Sequence, residues 1–381
     1  MDFNLSEEQK LIRNAVDKFI RNDYSFDARK KVLAEENGFS RAHWQQFADM
    51  GWLGIPFAEE QGGLGGGIVD IVQVMEAFGT GMVLEPYLSA IVLAGGLIAR
   101  NGSDAQKESL IPALIGGEKL LAVAYTEQES RFNTADVQTR AEKNGAGYVL
   151  NGEKAVVLGA ASADVLIVSA RTSGERLDTN GISLFLVDTN AAGVEIKGFR
   201  TMDGSHAGNV RLNNVQVSAD ALVGSEGAGF DALDEAVDHA TVAACADALG
   251  AMHAAMRKTV DYLKTRKQFG VPIGSFQALQ HRAVDLFTAV EACRSMVLMA
   301  SLKVTDSDPV TRRMAVSAAK QFVGEKARLI AQQAVQMHGG IGMTEELDIG
   351  HYFRRLTMFC SQFGTTDFHL KRYADLMAAA A

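Results

Sequence analysis

Gly62-Gly63-Leu64-Gly65-Gly66-Gly67 is the first stretch whose residue types suit chemistry, since clustered glycines can offer backbone N–H groups to a phosphate. A phosphate loop also needs a strand before it and Lys-Ser/Thr after it. Neither is present, so the run reads as a flexible turn ahead of an apolar helix, Val69 to Phe78. Two later stretches mix cations, amides, rings and glycines: Arg266-Lys267-Gln268-Phe269-Gly270, trailed by Phe276-Gln277, and Gln336-Met337-His338-Gly339-Gly340-Ile341-Gly342. Taken singly, the first is a surface arginine in a loop and the second a helix C-cap. Cys245, Cys293 and Cys360 lie far apart with no metal-ligand spacing, and His206 and His239 have no partner at useful spacing, so no metal is expected. Met296, Met299 and Met314 read as core rather than as a binding stripe.

The elements that must position these residues follow from period and composition. The chain has 381 residues, 47% of them apolar, enough for two or three packed domains. Its net charge of 37 − 46 = −9, with cations scattered rather than blocked, makes nucleic acid a poor partner. MDFNLSEEQK has no basic or apolar leader, no run approaches the ~18 apolar residues of a membrane span, and the cysteines read as reduced thiols. A cytoplasmic protein is expected.

Residues 1–120 read as an N-terminal helical domain. Ser6 and Gln9 form a capping-box pattern, and Leu11, Ile12, Ala15, Val16, Phe19 and Ile20 share one helical face. Residues 121–228 change to a period of two and form a β-sandwich or barrel. There Tyr148-Val149-Leu150, Asn151-Gly152 and Ala155-Val156-Val157-Leu158 predict a hairpin turning at Asn-Gly. Residues 229–381 return to the helical period as a C-terminal four-helix-bundle domain, with Asp308-Pro309 as cap and first-turn proline of one long helix. The fold class is therefore α+β.

This α–β–α order, with Leu5-Ser6-Glu7-Glu8-Gln9, Thr126-Glu127, the Arg266 motif and the Gln336 motif in sequence, resembles the acyl-CoA dehydrogenase family over nearly the whole chain. The resemblance implies FAD lying across a subunit interface, with one subunit holding the flavin ring and acyl thioester and the other the ADP end. It also implies hydride transfer from the thioester β-carbon, α-proton removal by a glutamate, and reoxidation by an electron-transfer flavoprotein. Fatty-acid or steroid catabolism is the metabolic setting it suggests.

Carried over by motif, Arg266 would meet the pyrophosphate, Phe269 would supply an apolar face, and Gln277 and Gln336 would give amide hydrogen bonds. Gly339 and Gly340 would let the backbone approach the cofactor, Thr126 would stand at the flavin, and His338 reads as packing. The ring half departs from the family pattern. Arg131-Phe132-Asn133 stands where Gly-Ser-Asp is usual, and Val156-Val157-Leu158 where Trp-Ile-Thr is usual. The family glutamate falls on Phe363, and its alternative position on Ala240; neither side chain accepts a proton.

Three readings follow. The chain is a non-catalytic subunit giving the ADP-end half of the site to a homologous catalytic chain, as in heterotetramers. Alternatively it is a self-sufficient acyl-CoA flavoenzyme with a displaced base, for which Glu235, Asp238 and Asp367 are the nearby carboxylates, each expected to be a solvated or helix-end charge. Or it is a flavin-free scaffold, which would have no need of the ADP-end residues.

Overall fold

The computed structural model describes residues 5–379, so the first four residues, part of the stretch expected to carry no leader, and the last two alanines lie outside the described residues. The order is helical, then β, then helical, with helices α1 (Glu7–Asn22), α2 (Phe26–Ala34), α3 (Arg41–Asp49), α4 (Ile68–Gly81), α5 (Gly96–Asn101) and α6 (Asp104–Ile115) first. Strands β1 (Leu121–Ala124), β2 (Arg140–Asn144), β3 (Gly147–Leu158), β4 (Val165–Arg171), β5 (Ile182–Asp188), β6 (Val194–Arg200), β7 (His206–Ser218) and β8 (Leu222–Val223) follow. The C-terminal part holds α7 (Gly229–Thr265), the short hairpin β9 (Lys267–Gln268) and β10 (Val271–Pro272), α8 (Gln277–Lys303), α9 (Pro309–His338), α10 (Ile349–Phe359) and α11 (Thr366–Ala379). No described helix is long and apolar enough to cross a membrane.

The chain forms two compact units. The first comprises the residues up to Lys31, Ile68–Val83, and those from Thr241 on. α1 starts as its sequence predicts: Gln9 N donates to Ser6 Oγ at 3.1 Å and Ser6 N to Gln9 Oε1 at 3.0 Å. Asp308 caps α9 by accepting from the Val310 and Thr311 amides. α9 lies at the centre of the bundle, against α8, α10 and α11. α4 and α7 meet backbone to backbone, because each brings a glycine to the crossing. A Cβ on Gly79 would lie 1.9 Å from Asp247 O, and one on Gly250 1.9 Å from Glu76 O. Arg13 and Arg294 both pair with Glu76 beside this contact, at 3.2 and 2.7 Å.

The second unit comprises Val32–Gly67 and Leu84–Ala240. Its sheet runs β6-β7-β3-β2-β4-β5-β8, with β1 parallel to β4. Leu150, Leu166, Val168, Phe185, Val187 and Val215 are fully buried in its core. Two local expectations are corrected here. The glycine run is not a flexible turn: Gly63, Leu64, Gly65 and Gly66 all donate to backbone carbonyls of residues 54–58, and a Cβ on Gly63 would strike Phe57 O at 2.1 Å. Asn151-Gly152 is not the hairpin turn. Asn144 pairs with Gly147, so the chain turns at Gly145-Ala146, just after Asn144, while β3 runs on through Asn151 as a register shift against β7. The packing there explains the glycine, since a Cβ on Gly152 would lie 2.7 Å from Thr139 Cα.

Candidate functional site

In the helical unit, one corner gathers the residues of the Arg266 and Gln336 motifs. α7 ends at Thr265 and the chain turns at once through β9 and β10. Phe269 and Gly270 form the tip, both at positive φ (55° and 82°), which is the backbone twist a two-residue hairpin needs. Phe269 is left 91% exposed, with Phe276 edge-on to it at 6.2 Å between ring centroids. Gln277 opens α8 just beyond. One helical turn before Arg266, Tyr262 stacks on His338 with ring centroids 4.5 Å apart and planes at 29°, which joins the ends of α7 and α9. Gly339 follows at φ 66°, ψ −146°, a conformation essentially reserved for glycine, and open space surrounds the missing Cβ of Gly339 and of Gly340. Arg266, Gln277 and Gln336 are exposed, and their side chains make no hydrogen bond or ion pair among the described residues. The corner thus presents a cation, two amides, an apolar ring and bare backbone, all uncommitted.

The positions expected at the flavin ring lie apart in sequence, and the β unit holds Thr126, Arg131 and Val156. Thr126 is half-buried and spent on β3: its hydroxyl donates to Ala155 O at 2.5 Å, while Ala155 N donates to Thr126 O at 2.8 Å. Next to it, Glu127 is a buried hub, a role that its place in the Thr126-Glu127 motif does not reveal. Its carboxylate accepts from Lys154 Nζ (2.7 Å), Thr139 N (3.0 Å), Thr139 Oγ1 (2.8 Å) and Gln138 N (2.8 Å). Burial opposes its charge, but Lys154 and Thr139 outweigh that and hold the carboxyl below the usual range. The turn that follows is therefore pinned. Within it Arg131 is exposed and sits at φ 49°. Val156 occupies the bulge between β3 and β7 at φ 54° and is 48% exposed. A β-branched residue there is strained. Neither side chain offers the small hydroxyl donor or broad ring that the resemblance implies at a flavin.

Phe363, in the helical unit, is also left-handed (φ 56°) and is 8% exposed. Its loop, between α10 and α11, is clamped by two buried residues of which its own sequence gives no hint. Lys320 Nζ donates to Phe359 O (3.0 Å) and Gly364 O (2.7 Å), and His369 Nε2 donates to Phe363 O (3.0 Å) while Nδ1 faces Ser317 Oγ (3.2 Å). The signal for Lys320 was its place in an otherwise apolar stripe, Val316, Ala319 and Val323. Ala240 is fully buried. Of the alternative carboxylates, Asp367 is exposed, and Glu235 pairs with Arg100 at 3.2 Å. Asp238 overturns its expectation, being 1% exposed rather than a solvated charge. The three thiols are free, and burial pushes those of Cys245 and Cys293 up to about 12. No metal-ligand group of three or more occurs among the described residues.

Comparison with known proteins matches the N-terminal domain of acyl-CoA dehydrogenases over residues 6–118, the middle domain over 122–215 and the C-terminal domain over 227–377. The chain belongs to the acyl-CoA dehydrogenase family. It is 31% identical over 375 residues to "Probable acyl-CoA dehydrogenase YngJ" of Bacillus subtilis (strain 168), covering 96% of this chain and 97% of that one. Among solved structures it resembles a chain of the ChsE4–ChsE5 complex from Mycobacterium tuberculosis (28% identity, TM-score 0.90, 99% of both chains). It also resembles a variant of the Tcur3481–Tcur3483 steroid ACAD (29% identity, TM-score 0.89, 98% of this chain and 99% of that one).

FAD is the cofactor of the acyl-CoA dehydrogenase family, and the two halves of this chain fit it unequally. The Arg266 corner fits its ADP end: a guanidinium matches phosphate oxygens, two amides and a ring are exposed, and no Cβ shields the backbone at Gly339 or Gly340. The ring positions offer less: the Thr126 hydroxyl donates to Ala155 O, and Arg131 and Val156 stand where the resemblance implies small or stacking groups.

Proposed function

We propose that this chain is the non-catalytic subunit of a heteromeric acyl-CoA dehydrogenase, and that it supplies the ADP-end half of an FAD site to a homologous catalytic chain. The observation that carries this reading is the asymmetry of the site: the Arg266 corner is uncommitted, while Phe363 and Ala240 stand at both positions from which a base would act. A phenyl or methyl group cannot remove an α-proton, and that step needs a positioned base. When bound, FAD accepts the hydride released from the thioester β-carbon. This chain's part is to hold the cofactor: Arg266 against the pyrophosphate, Gln277 and Gln336 as amide partners, Phe269 as an apolar wall, and Gly339 and Gly340 as a close backbone surface. The catalytic partner would add the ring pocket, the base and the acyl-CoA site, and an electron-transfer flavoprotein would take the electrons onward.

Exposed apolar residues support assembly. Val284 and Phe287, 62% and 55% exposed, share one face of α8, and Leu329 on α9 is 37% exposed. Faces of this kind mark contacts with another chain. The test is co-purification with a homologous chain, with mass and visible flavin absorbance recorded. One FAD per pair is expected; one FAD per chain, or two per pair, would refute the shared site.

One observation favours a second reading, a self-sufficient enzyme with a displaced base: Asp238 is a buried carboxylate two residues before Ala240 on α7. Dehydrogenation by the chain alone, abolished in Asp238→Asn, would establish it.

A further inference from the structure

A cavity of about 600 Å³ opens in the helical unit between α1, the start of α2, the end of α4, α7 and α10. That is the size of a small-molecule pocket, roughly 300–1,000 Å³. It shares no residue with the Arg266 corner. Most of the charges that line it are already matched. Arg13 pairs with Asp17 at 3.1 Å and with Glu76 at 3.2 Å, and Lys258 pairs with Asp348 at 2.8 Å. Three are not matched: the side chains of Arg21 on α1 and of Arg257 and Asp261 on α7 make no hydrogen bond or ion pair among the described residues. A lone surface arginine is ordinarily a solvated charge. Here two of them, carried on different helices, line one hollow whose other cations are spent. Two free guanidiniums against one free carboxylate leave a surplus of positive charge. His253, half-buried in the wall, senses it: burial, Arg294, Arg257 and Arg13 lower its imidazole against the pull of Glu76. Ile20, Met82 and Ala254 add an apolar wall.

We propose that this cavity binds a small organic phosphate, with Arg21 and Arg257 on the phosphate group and Ile20, Met82 and Ala254 against its apolar body. The preference for phosphate follows from donor geometry. Each guanidinium is a planar fork of five donors, and the two oxygens of a carboxylate are filled by a single fork. A phosphate monoester has three terminal oxygens and a charge of about −2 at pH 7, which serves forks arriving from two helices. Inorganic phosphate would leave most of the cavity and its apolar wall unused.

The experiment is calorimetric titration of the full chain with phenyl phosphate, inorganic phosphate and benzoate, repeated on Arg21→Gln, Arg257→Gln, Asp261→Asn and Arg266→Ala. All four side chains are exposed and unpaired among the described residues, so the variants keep the fold. Phenyl phosphate is expected to bind the wild type about tenfold tighter than either other probe. Arg21→Gln and Arg257→Gln should each weaken it about tenfold, the loss that follows removal of a charged hydrogen bond. Asp261→Asn should tighten it about twofold, because a like charge leaves the cavity. Arg266→Ala should leave it unchanged, which separates this cavity from the ADP-end corner. Benzoate bound as tightly as phenyl phosphate would overturn the preference for phosphate, and inorganic phosphate bound as tightly would overturn the apolar contact. No binding of phenyl phosphate, binding unaltered in both arginine variants, or binding lost in Arg266→Ala would overturn the site itself.

Discussion

Arg131, Val156 and Phe363 stand at three positions where the flavin-ring half departs from the family pattern, and all three have positive φ. Left-handed backbone costs a side-chain-bearing residue about 1–2 kcal/mol, and it persists only where surrounding bonds dictate it. Here the dictating bonds are visible: Glu127 with Lys154 and Thr139, and His369 with Phe363 O. The backbone at these positions is thus held by the bonds around it, while the side chains it carries offer no flavin donor, stacking ring or base. Arg131→Gly should relieve that strain and raise stability by up to ~1 kcal/mol, less the extra freedom glycine gains in the unfolded chain; the denaturant midpoint reads it. Phe363→Glu should restore a carboxylate without restoring activity, because Arg131, Val156 and Leu158 still occupy the ring positions. Acyl-CoA-dependent flavin bleaching by that single variant would disprove this.

At the scale of elements, two contacts set how rigid the helical unit is. The α4–α7 crossing depends on Gly79 and Gly250 having no Cβ. Gly250→Ala would force the helices apart and should cost about 3 kcal/mol, seen as a lower melting temperature. The second contact is Lys320, whose burial lowers its ammonium to about 8 against the opposing pull of Cys245 and Cys360. The unfolded side chain keeps an ordinary lysine value, so between pH 8 and about 10.5 the unfolded chain binds the extra proton. Stability from this group should therefore rise as pH rises through that window. Lys320→Met should flatten the rise and also destabilise at pH 7 by about 2 kcal/mol, because Phe359 O and Gly364 O lose their donor. Unfolding curves of both proteins across that range test both points. The same buried lysine shows the limit of pattern reading: periodicity placed α9, and only packing revealed which carbonyls a lysine inside it serves.

For the whole molecule, the exposed face of α8 is where assembly should be most sensitive. Phe287→Asp places a charge on that apolar face and should shift the purified protein towards smaller species, measured by light scattering. An unchanged mass would remove this face from the interface. Flavin content should fall in parallel if the site is shared, since neither half alone holds both ends of the cofactor.

The sequence by itself determined the α–β–α plan, because hydrophobic period changes from helical to alternating and back, and because caps such as Ser6 and Asp308 use only neighbouring residues. It also determined that Phe363 and Ala240 cannot act as bases, since that is a property of residue type. The tertiary structure decided what depends on distant partners. The chain turns at Gly145 rather than at Asn151-Gly152, because β3 continues through Gly152 in its pairing with β7. Packing buries Asp238, Glu127, Lys154 and Lys320, which composition alone would put in water. The setting of His338 also comes from the packed structure: Ala334 O fixes its proton and Tyr262 fixes its plane. Local rules read what neighbours impose; burial and hydrogen bonding across the fold assign the rest.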